Sequence, residues 1–315
     1  MLDLGVNPDN IIYANPTKPL AHIRYAASKG VRMMTFDNAE ELDKIKEGHP
    51  TAQMVLRVLA DDSKSVCQFG KKFGVHPSFT ASLLARAKEL GIDVIGVSFH
   101  VGSGCFDPES FADAVRRAHL VIQEGIDLGF DMRLLDLGGG FPGLDNVDGA
   151  PFNDVAAAIR GALAELPASV RVIGEPGRFF AAPTFTLAVH VTSRRTTLSK
   201  NEEGETVKRF MYYVNDGVYG SFNCILFDHA NPKAYVLRHG GRFLVNEAVD
   251  AALHGCSIWG PTCDSMDLIV RETDLPELSV GDWLYYPNMG AYTLTASSTF
   301  NGFPRPEVRY IALKD

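Results

Sequence analysis

Six short apolar runs punctuate the first 177 residues, at 11–14, 32–36, 53–58, 94–99, 133–137 and 171–175. Helix-length segments such as 39–47, 81–90 and 154–166 fall between them. A strand covered on both faces reads as an unbroken apolar run, and parallel neighbours need a crossover helix. The alternation therefore predicts successive βα units and a parallel sheet. A closed parallel barrel takes eight strands. Six leave two alternatives: an open doubly wound sheet, or a (β/α)8-type barrel lacking its first two strands. Leu2-Asp3-Leu4-Gly5-Val6 reads as the end of a helix, which places any missing part N-terminally.

Beyond Ala182 the pattern changes. Runs at 185–193, 210–215, 257–259, 268–271, 282–286 and 308–313 read as strands without long helices between them. The chain is thus expected to be α/β, with a barrel domain over 1–182 and a mostly antiparallel β domain over 183–315. Ser199 to Glu205 reads as a polar hairpin loop, and 231–255 as loop-rich.

Polar residues stand where the apolar runs of the first domain end. Arg57 follows Val55-Leu56, His100 follows Ser98-Phe99, and Gly138, Gly139 and Gly140 follow Leu137. Glu175 and Arg178 follow Val172-Ile173. In parallel α/β architectures the carboxyl ends of the strands form the site, so these residues converge on one face. Three successive glycines let backbone N–H groups approach an anion with no side chain between, which is a phosphate cradle. Gly138, Gly140 and Gly143 also fit a dinucleotide fingerprint, but Pro142 and the loop after it stand where a helix should open.

In Glu175-Pro176-Gly177-Arg178 a carboxylate lies beside a guanidinium. An acid on a ring nitrogen keeps it protonated, while an arginine and glycine N–H groups hold a phosphate on the same ring. Those are the requirements of pyridoxal phosphate. In the second domain, Cys263 sits in a Gly/Pro-rich turn beside Asp264 and suits proton transfer or nucleophilic attack. Asp228 and Asp264 are suited to a cationic amine, and Tyr292 offers a phenol to a phosphate.

Composition excludes several classes. A formal charge of -8 with no basic run argues against a nucleic-acid surface. No apolar stretch approaches a membrane span and no signal peptide is expected. Five cysteines without a C-x-x-C pair point to reduced thiols in the cytosol.

Taken together, these residues resemble the pyridoxal-phosphate decarboxylases with an alanine-racemase-like barrel, and within them the eukaryotic ornithine decarboxylases. The resemblance runs over the whole chain. It rests on Tyr13-Ala14-Asn15-Pro16, the segment from Ser98 to Cys105, Gly138-Gly139-Gly140-Phe141-Pro142-Gly143, and Glu175-Pro176-Gly177-Arg178. Further on it rests on the segment from Asn215 to Asn223, Trp259-Gly260-Pro261-Thr262-Cys263-Asp264, and Asn288-Met289-Gly290-Ala291-Tyr292.

The resemblance implies decarboxylation of L-ornithine to putrescine, in polyamine biosynthesis, by a homodimer with shared active sites. It implies that His100 stacks on the pyridine ring, that Glu175 pairs with its nitrogen, and that Arg57 lies beneath. Ser103, Gly140, Arg178 and Tyr292 would hold the phosphate. Cys263 would reprotonate the substrate α-carbon, and Asp228 with Asp264 would bind its distal ammonium. Cys263 and Asp264 would serve the partner's cofactor. Phe227 stands where many relatives carry tyrosine. Lysine, arginine and diaminopimelate are the family's other substrates, and the Gly-Pro-Thr context of Cys263-Asp264 most resembles the ornithine enzymes.

One departure is the absence of the family's Tyr-Ala-Val-Lys motif, which carries the cofactor lysine; Lys18 is the only lysine shortly after a strand. The second reading is a non-catalytic regulator like antizyme inhibitor, with Lys18, His22, Arg24, Lys29 and Arg32 as an antizyme-binding surface.

Overall fold

In a computed structural model the structure describes residues 1–147, 149–200, 203–245, 247 and 249–311. Two compact units divide between Phe179 and Phe180. The first carries strands β1 (Ile12–Tyr13), β2 (Met33–Phe36), β3 (Gln53–Arg57), β4 (Ser65–Cys67), β5 (Asp93–Ser98), β6 (Ser103–Cys105), β7 (Leu134–Asp136) and β8 (Arg171–Ile173). Helices α1 (Leu20–Ser28), α2 (Ala39–Gly48), α3 (Thr80–Glu89), α4 (Pro108–Asp127) and α5 (Phe152–Leu163) alternate with them, and the short α6 (Gly177–Ala181) follows β8.

All six predicted strands form one parallel sheet in the order β1-β2-β3-β5-β7-β8. That order follows the chain with no reversal. A doubly wound sheet requires a switch point, so the barrel-type, curled sheet is the alternative realised. β4 and β6, which the sequence pattern did not signal, pair separately as a small antiparallel ribbon. The turn at Leu2–Leu4 is a single 3-10 turn closed by Gly5 at φ 78°.

Alternation along each strand sorts the side chains into two layers. Met34, Met54, Leu56, Val94, Val97 and Leu135 join the large core with the helices. Met33, Val55, Ile95 and Leu134 form a separate cluster, against which Ile12 and Ile173 pack. A register irregularity between Met54 and Val55 lets β5 keep both layers filled. Gly96 fits there because a Cβ would lie 2.1 Å from the Leu134 carbonyl oxygen. Helix starts follow local rules: Asp107 accepts from the Glu109 N–H with Pro108 at the first position of α4, and Asn38 caps α2 at Glu41.

Lys18 is 2% exposed and lies between β1 and α1. Its ammonium donates to the carbonyls of Asn15, Pro16 and Thr35 and pairs with Glu41 at 2.8 Å. Burial pulls its pKa below the ordinary lysine value, against the hydrogen bond and charge of Glu41. Lys18 is therefore a structural bolt. It cannot belong to an exposed antizyme-binding surface, which corrects that expectation.

The second unit holds β9 (Leu187–Lys200), β10 (Thr206–Val214), β11 (Tyr235–His239), β12 (Arg242–Phe243), β13 (Leu253–Trp259), β14 (Leu268–Pro276) and β15 (Trp283–Tyr286), with the single-turn α7 (Cys224–Phe227). The seven strands form one sheet ordered β12-β11-β15-β9-β10-β13-β14, antiparallel except for the β10–β13 pair. Three expectations need correction. Residues 231–255 contain β11, β12 and the start of β13. The hairpin loop is shorter than Ser199 to Glu205, because cross-strand pairing continues to Lys200 and Thr206. The expected strand at 308–313 is absent over 308–311, where Tyr310 and Ile311 are more than four-fifths exposed; 312–313 lie outside the described residues.

Lys18→Met should lower folding stability by about 2 to 4 kcal/mol, because three carbonyls lose a donor and Glu41 keeps only the partly exposed Lys44 as its cation. Urea unfolding of the two proteins measures this, and a difference below about 1 kcal/mol would contradict the assignment.

Candidate active site

The parallel register sets Arg57, Ser98 and Asp136 side by side at the carboxyl ends of β3, β5 and β7. Asp136 pairs onward with Ile173 of β8, two residues before Glu175. The charged groups are thus delivered by backbone pairing before any side chain chooses a rotamer.

Asp136 is 1% exposed, and its Oδ1 accepts the Gly138 N–H at 2.9 Å. The two carboxyls of Asp136 and Glu175 are neighbours through Gly138, whose N–H donates to Asp136 and whose carbonyl oxygen accepts the Glu175 N–H at 2.7 Å. Two neighbouring carboxyls exchange a hydrogen bond only if one keeps its proton. Burial, then the neighbouring Asp136, push the Glu175 carboxyl up to about 7, with Arg57 opposing. Asp136 is also raised, by burial first. The Arg57 guanidinium lies over the Phe73 ring, 5.1 Å from its centroid, and answers the charges of Asp37, Glu175, Asp136 and Asp62.

His100 follows β5, and its Nδ1 accepts the Gly102 N–H at 2.9 Å, so the neutral ring carries its proton on Nε2. Burial, then the nearby Arg57 charge, push the imidazole down to about 4. It is neutral at physiological pH and presents a flat face, with the Phe69 ring set edge-on at 4.8 Å.

The three glycines are required by close approach. A Cβ on Gly138 would lie 2.0 Å from the Phe99 carbonyl oxygen, and one on Gly139 2.8 Å from His100 Nε2. Gly140, at φ 101°, would meet the Gly102 oxygen at 2.3 Å. Gly102, directly before Ser103 at the start of β6, is thereby pressed against the cradle. The Glu175 N–H donates to the Gly138 oxygen at 2.7 Å, and the Gly177 N–H to the Glu175 oxygen at 2.7 Å, so Glu175, Gly177 and Arg178 start from the same backbone knot. Ser98 Oγ is buried without a hydrogen-bond partner beside Asp136.

Of the first unit's predicted residues, Arg57, His100, Ser103, Gly138, Gly139, Gly140, Glu175, Gly177 and Arg178 all start from these strand ends and the turns after them. Asp136 was missed. Its signal was a lone charge alternating with Leu134 inside an otherwise apolar strand. The arrangement suits a flat heterocycle with an anionic arm: side-chain-free glycine backbone for the anion, a neutral imidazole face for the ring, and a carboxyl holding a proton for a ring nitrogen.

In the second unit one carboxylate ties two turns together. Asp267, 1% exposed, accepts the Val218 N–H, the Thr262 N–H and the Thr262 hydroxyl, all within 2.9 Å. A Cβ on Gly217 or Gly260 would lie 2.1 or 2.2 Å from its Oδ1. The turn it fixes presents Cys263, which is exposed, and Asp264, whose Oδ2 accepts the Tyr219 hydroxyl and whose Oδ1 accepts the Met266 N–H. Tyr219 stacks on Phe300 at 4.3 Å. Phe227 is 72% exposed at the end of α7, directly before Asp228. Tyr292 is half exposed at φ 54°, a left-handed backbone rare for an aromatic residue.

Comparison with known proteins agrees with this chemistry. The sequence model described as "Pyridoxal-dependent decarboxylase, pyridoxal binding domain" matches residues 1–182. Ornithine decarboxylase of Schizosaccharomyces pombe is 52% identical over 313 residues, covering 99% of this chain and 69% of the relative. Antizyme inhibitor 2 of Xenopus laevis is 49% identical over 314 residues, covering 98% of this chain and 67% of the relative. The crystal structure of the Paramecium bursaria Chlorella virus arginine decarboxylase superimposes with a TM-score of 0.88 at 34% identity, covering 98% of this chain and 80% of that one. A barrel-type sheet whose strand ends gather a glycine cradle, a neutral histidine and a protonated carboxyl, matched over its whole length by such relatives, belongs to the pyridoxal-dependent decarboxylases, whose cofactor is pyridoxal 5'-phosphate.

Proposed function

We propose that these residues build the cofactor and substrate sites of an L-ornithine decarboxylase, which yields putrescine and carbon dioxide. The observation that carries the reading is the gathering of Arg57, His100, Asp136 and Glu175 around the glycine turn at 138–140. Identity of about half to an ornithine decarboxylase over nearly the whole chain supports the choice of substrate.

In this reading Gly138, Gly139, Gly140 and Gly177 bind the phosphate through backbone N–H groups, and Ser103 and Arg178 add donors. Glu175 takes the ring nitrogen and His100 covers the ring face. Its neutrality matters: a protonated imidazole there would repel a cationic ring. Pyridoxal phosphate, when bound, supplies the electron sink for the pair released as carbon dioxide leaves. The Cys263 thiol returns a proton to the substrate α-carbon. Asp228 and Asp264 hold the distal ammonium beside Phe227, and the Tyr219 hydroxyl orients the Asp264 carboxylate. Cys263 and Asp264 serve the cofactor of a second copy in a homodimer. The five cysteines carry no disulfide, which fits a working place in the cytosol.

The 315 residues contain no Tyr-Ala-Val-Lys sequence, and the Lys18 ammonium is wholly engaged in the fold. We therefore infer that Lys18 forms no covalent link to the cofactor. After incubation with pyridoxal phosphate and borohydride, gel filtration should show retained cofactor absorbance, while mass spectrometry finds no cofactor mass on Lys18. A labelled Lys18 would contradict this. Glu175→Ala should weaken cofactor retention at least about tenfold, the loss of one charge-assisted hydrogen bond.

A regulator that binds antizyme is the second reading, favoured by the relative of that kind at 49% identity. With Lys18 buried, its surface reduces to His22, Arg24, Lys29 and Arg32. Arg24 already pairs with Glu47 and Arg32 with Asp9. Antizyme should be captured by the wild-type chain and not by the triple variant R24E/K29E/R32E; equal capture by both would exclude this face.

A further inference from the structure

Asp136 has no part in the reading above beyond its proximity, yet it is the most deeply buried charge-bearing group at the strand ends. Backbone pairing fixes it between Ser98 and Ile173, and the Gly138 N–H fixes the direction of its carboxyl. Among the described residues neither neighbouring strand offers it a cation in direct ion pairing; what it neighbours is Glu175, across the Gly138 peptide groups that bond to both, and a hydrogen bond between the two carboxyls requires one proton between them. The charged group facing this pair is Arg57, from the end of β3, which also answers Asp37 and Asp62 and adds to the burial that keeps the nearby His100 imidazole neutral. With one proton shared, the pair carries a single negative charge toward that guanidinium.

We propose that Asp136 is a positioning residue that shares a single proton with Glu175 and holds it in readiness for the nitrogen of an arriving pyridine ring. The proposal rests on the reading of Glu175 as the ring-nitrogen partner. The balance closes without solvent. Before binding, the pair carries one negative charge and the ring nitrogen none. The proton then passes from Glu175 to the nitrogen, leaving two carboxylates and one N–H cation, the same sum. The second carboxylate is answered by Arg57. The burial that raises both carboxyls is the physical cost of keeping the proton in place.

Infrared difference spectroscopy reads the proton directly in the full 315-residue chain. Subtracting the spectrum of Glu175→Gln at pH 7 should leave a protonated-carboxyl stretch in the wild type, and Asp216, raised by its own burial, cancels because it is common to both. Asp136→Asn should abolish the band, since an amide N–H donates to Glu175 and lets it ionise. Addition of pyridoxal phosphate should bleach the wild-type band. If Asp136→Asn does not fold, the wild-type spectrum with and without the cofactor still decides. Absence of the band in the wild type overturns the proposal, as does a band that persists once cofactor is retained. A chain that shows the band but retains no cofactor keeps the shared proton and sinks the ring-nitrogen reading instead.

Discussion

Parallel pairing of β3, β5 and β7 puts Arg57, Ser98 and Asp136 in direct register, and the rest of the first unit is arranged around that juxtaposition. Three polar side chains at the rim of an apolar sheet need partners in a place with little water. Asp136 finds the Glu175 carboxyl beyond β8 and Arg57 lies over the Phe73 ring, while Ser98 Oγ is left without a hydrogen-bond partner. Because strand pairing fixes the positions, geometry is set by hydrogen-bonded backbone and not by flexible loops. A site built this way is organised before any ligand arrives.

The same burial acts in opposite directions on the two kinds of ionisable group. It drives the His100 imidazole to its neutral form and keeps a proton on the Asp136–Glu175 pair. Both shifts lower the local charge, and Arg57 is left as the compensating cation. The linkage follows from the sign. Since Glu175 has a folded pKa above its ordinary value, its contribution to stability is full below the ordinary carboxylate range and fades as the pH rises through about 7. The region is thus least relaxed in alkaline solution, where a positively charged ring would relieve it most.

Much of this was legible in the residues. Continuous apolar runs announced all six parallel strands, and the polar residues at their ends announced where the charged side chains gather, because both follow from what a doubly covered strand permits. The strand order was not legible, since doubly wound and barrel-type sheets share the same βα pattern and differ only in where each strand pairs. Asp136 escaped because an acid inside Leu134-Leu135-Asp136-Leu137 contradicts the apolar expectation that identified the strand. The ribbon of β4 and β6 escaped because each strand has only three residues. In the second unit, β11 and β12 were hidden in a polar stretch, whereas Val308 to Ile311 looks like a strand by composition and pairs with none. Lys18 stood correctly after a strand, but only the positions of Glu41 and the Thr35 carbonyl revealed that its charge is consumed internally.

The Asp267 knot bears on how this chain can vary. Gly217 and Gly260 are distant in sequence, yet each leaves the space that the same carboxylate fills. Neither glycine can gain a side chain while Asp267 stays, and Asp267 cannot be replaced without stranding the Val218 and Thr262 donors. Three positions are therefore locked into one unit of inheritance. Drift at any one of them disturbs the turn that presents Cys263 and Asp264, so substitutions there should be tolerated only as a set, whereas Phe227, which is mostly exposed, has no such obligation.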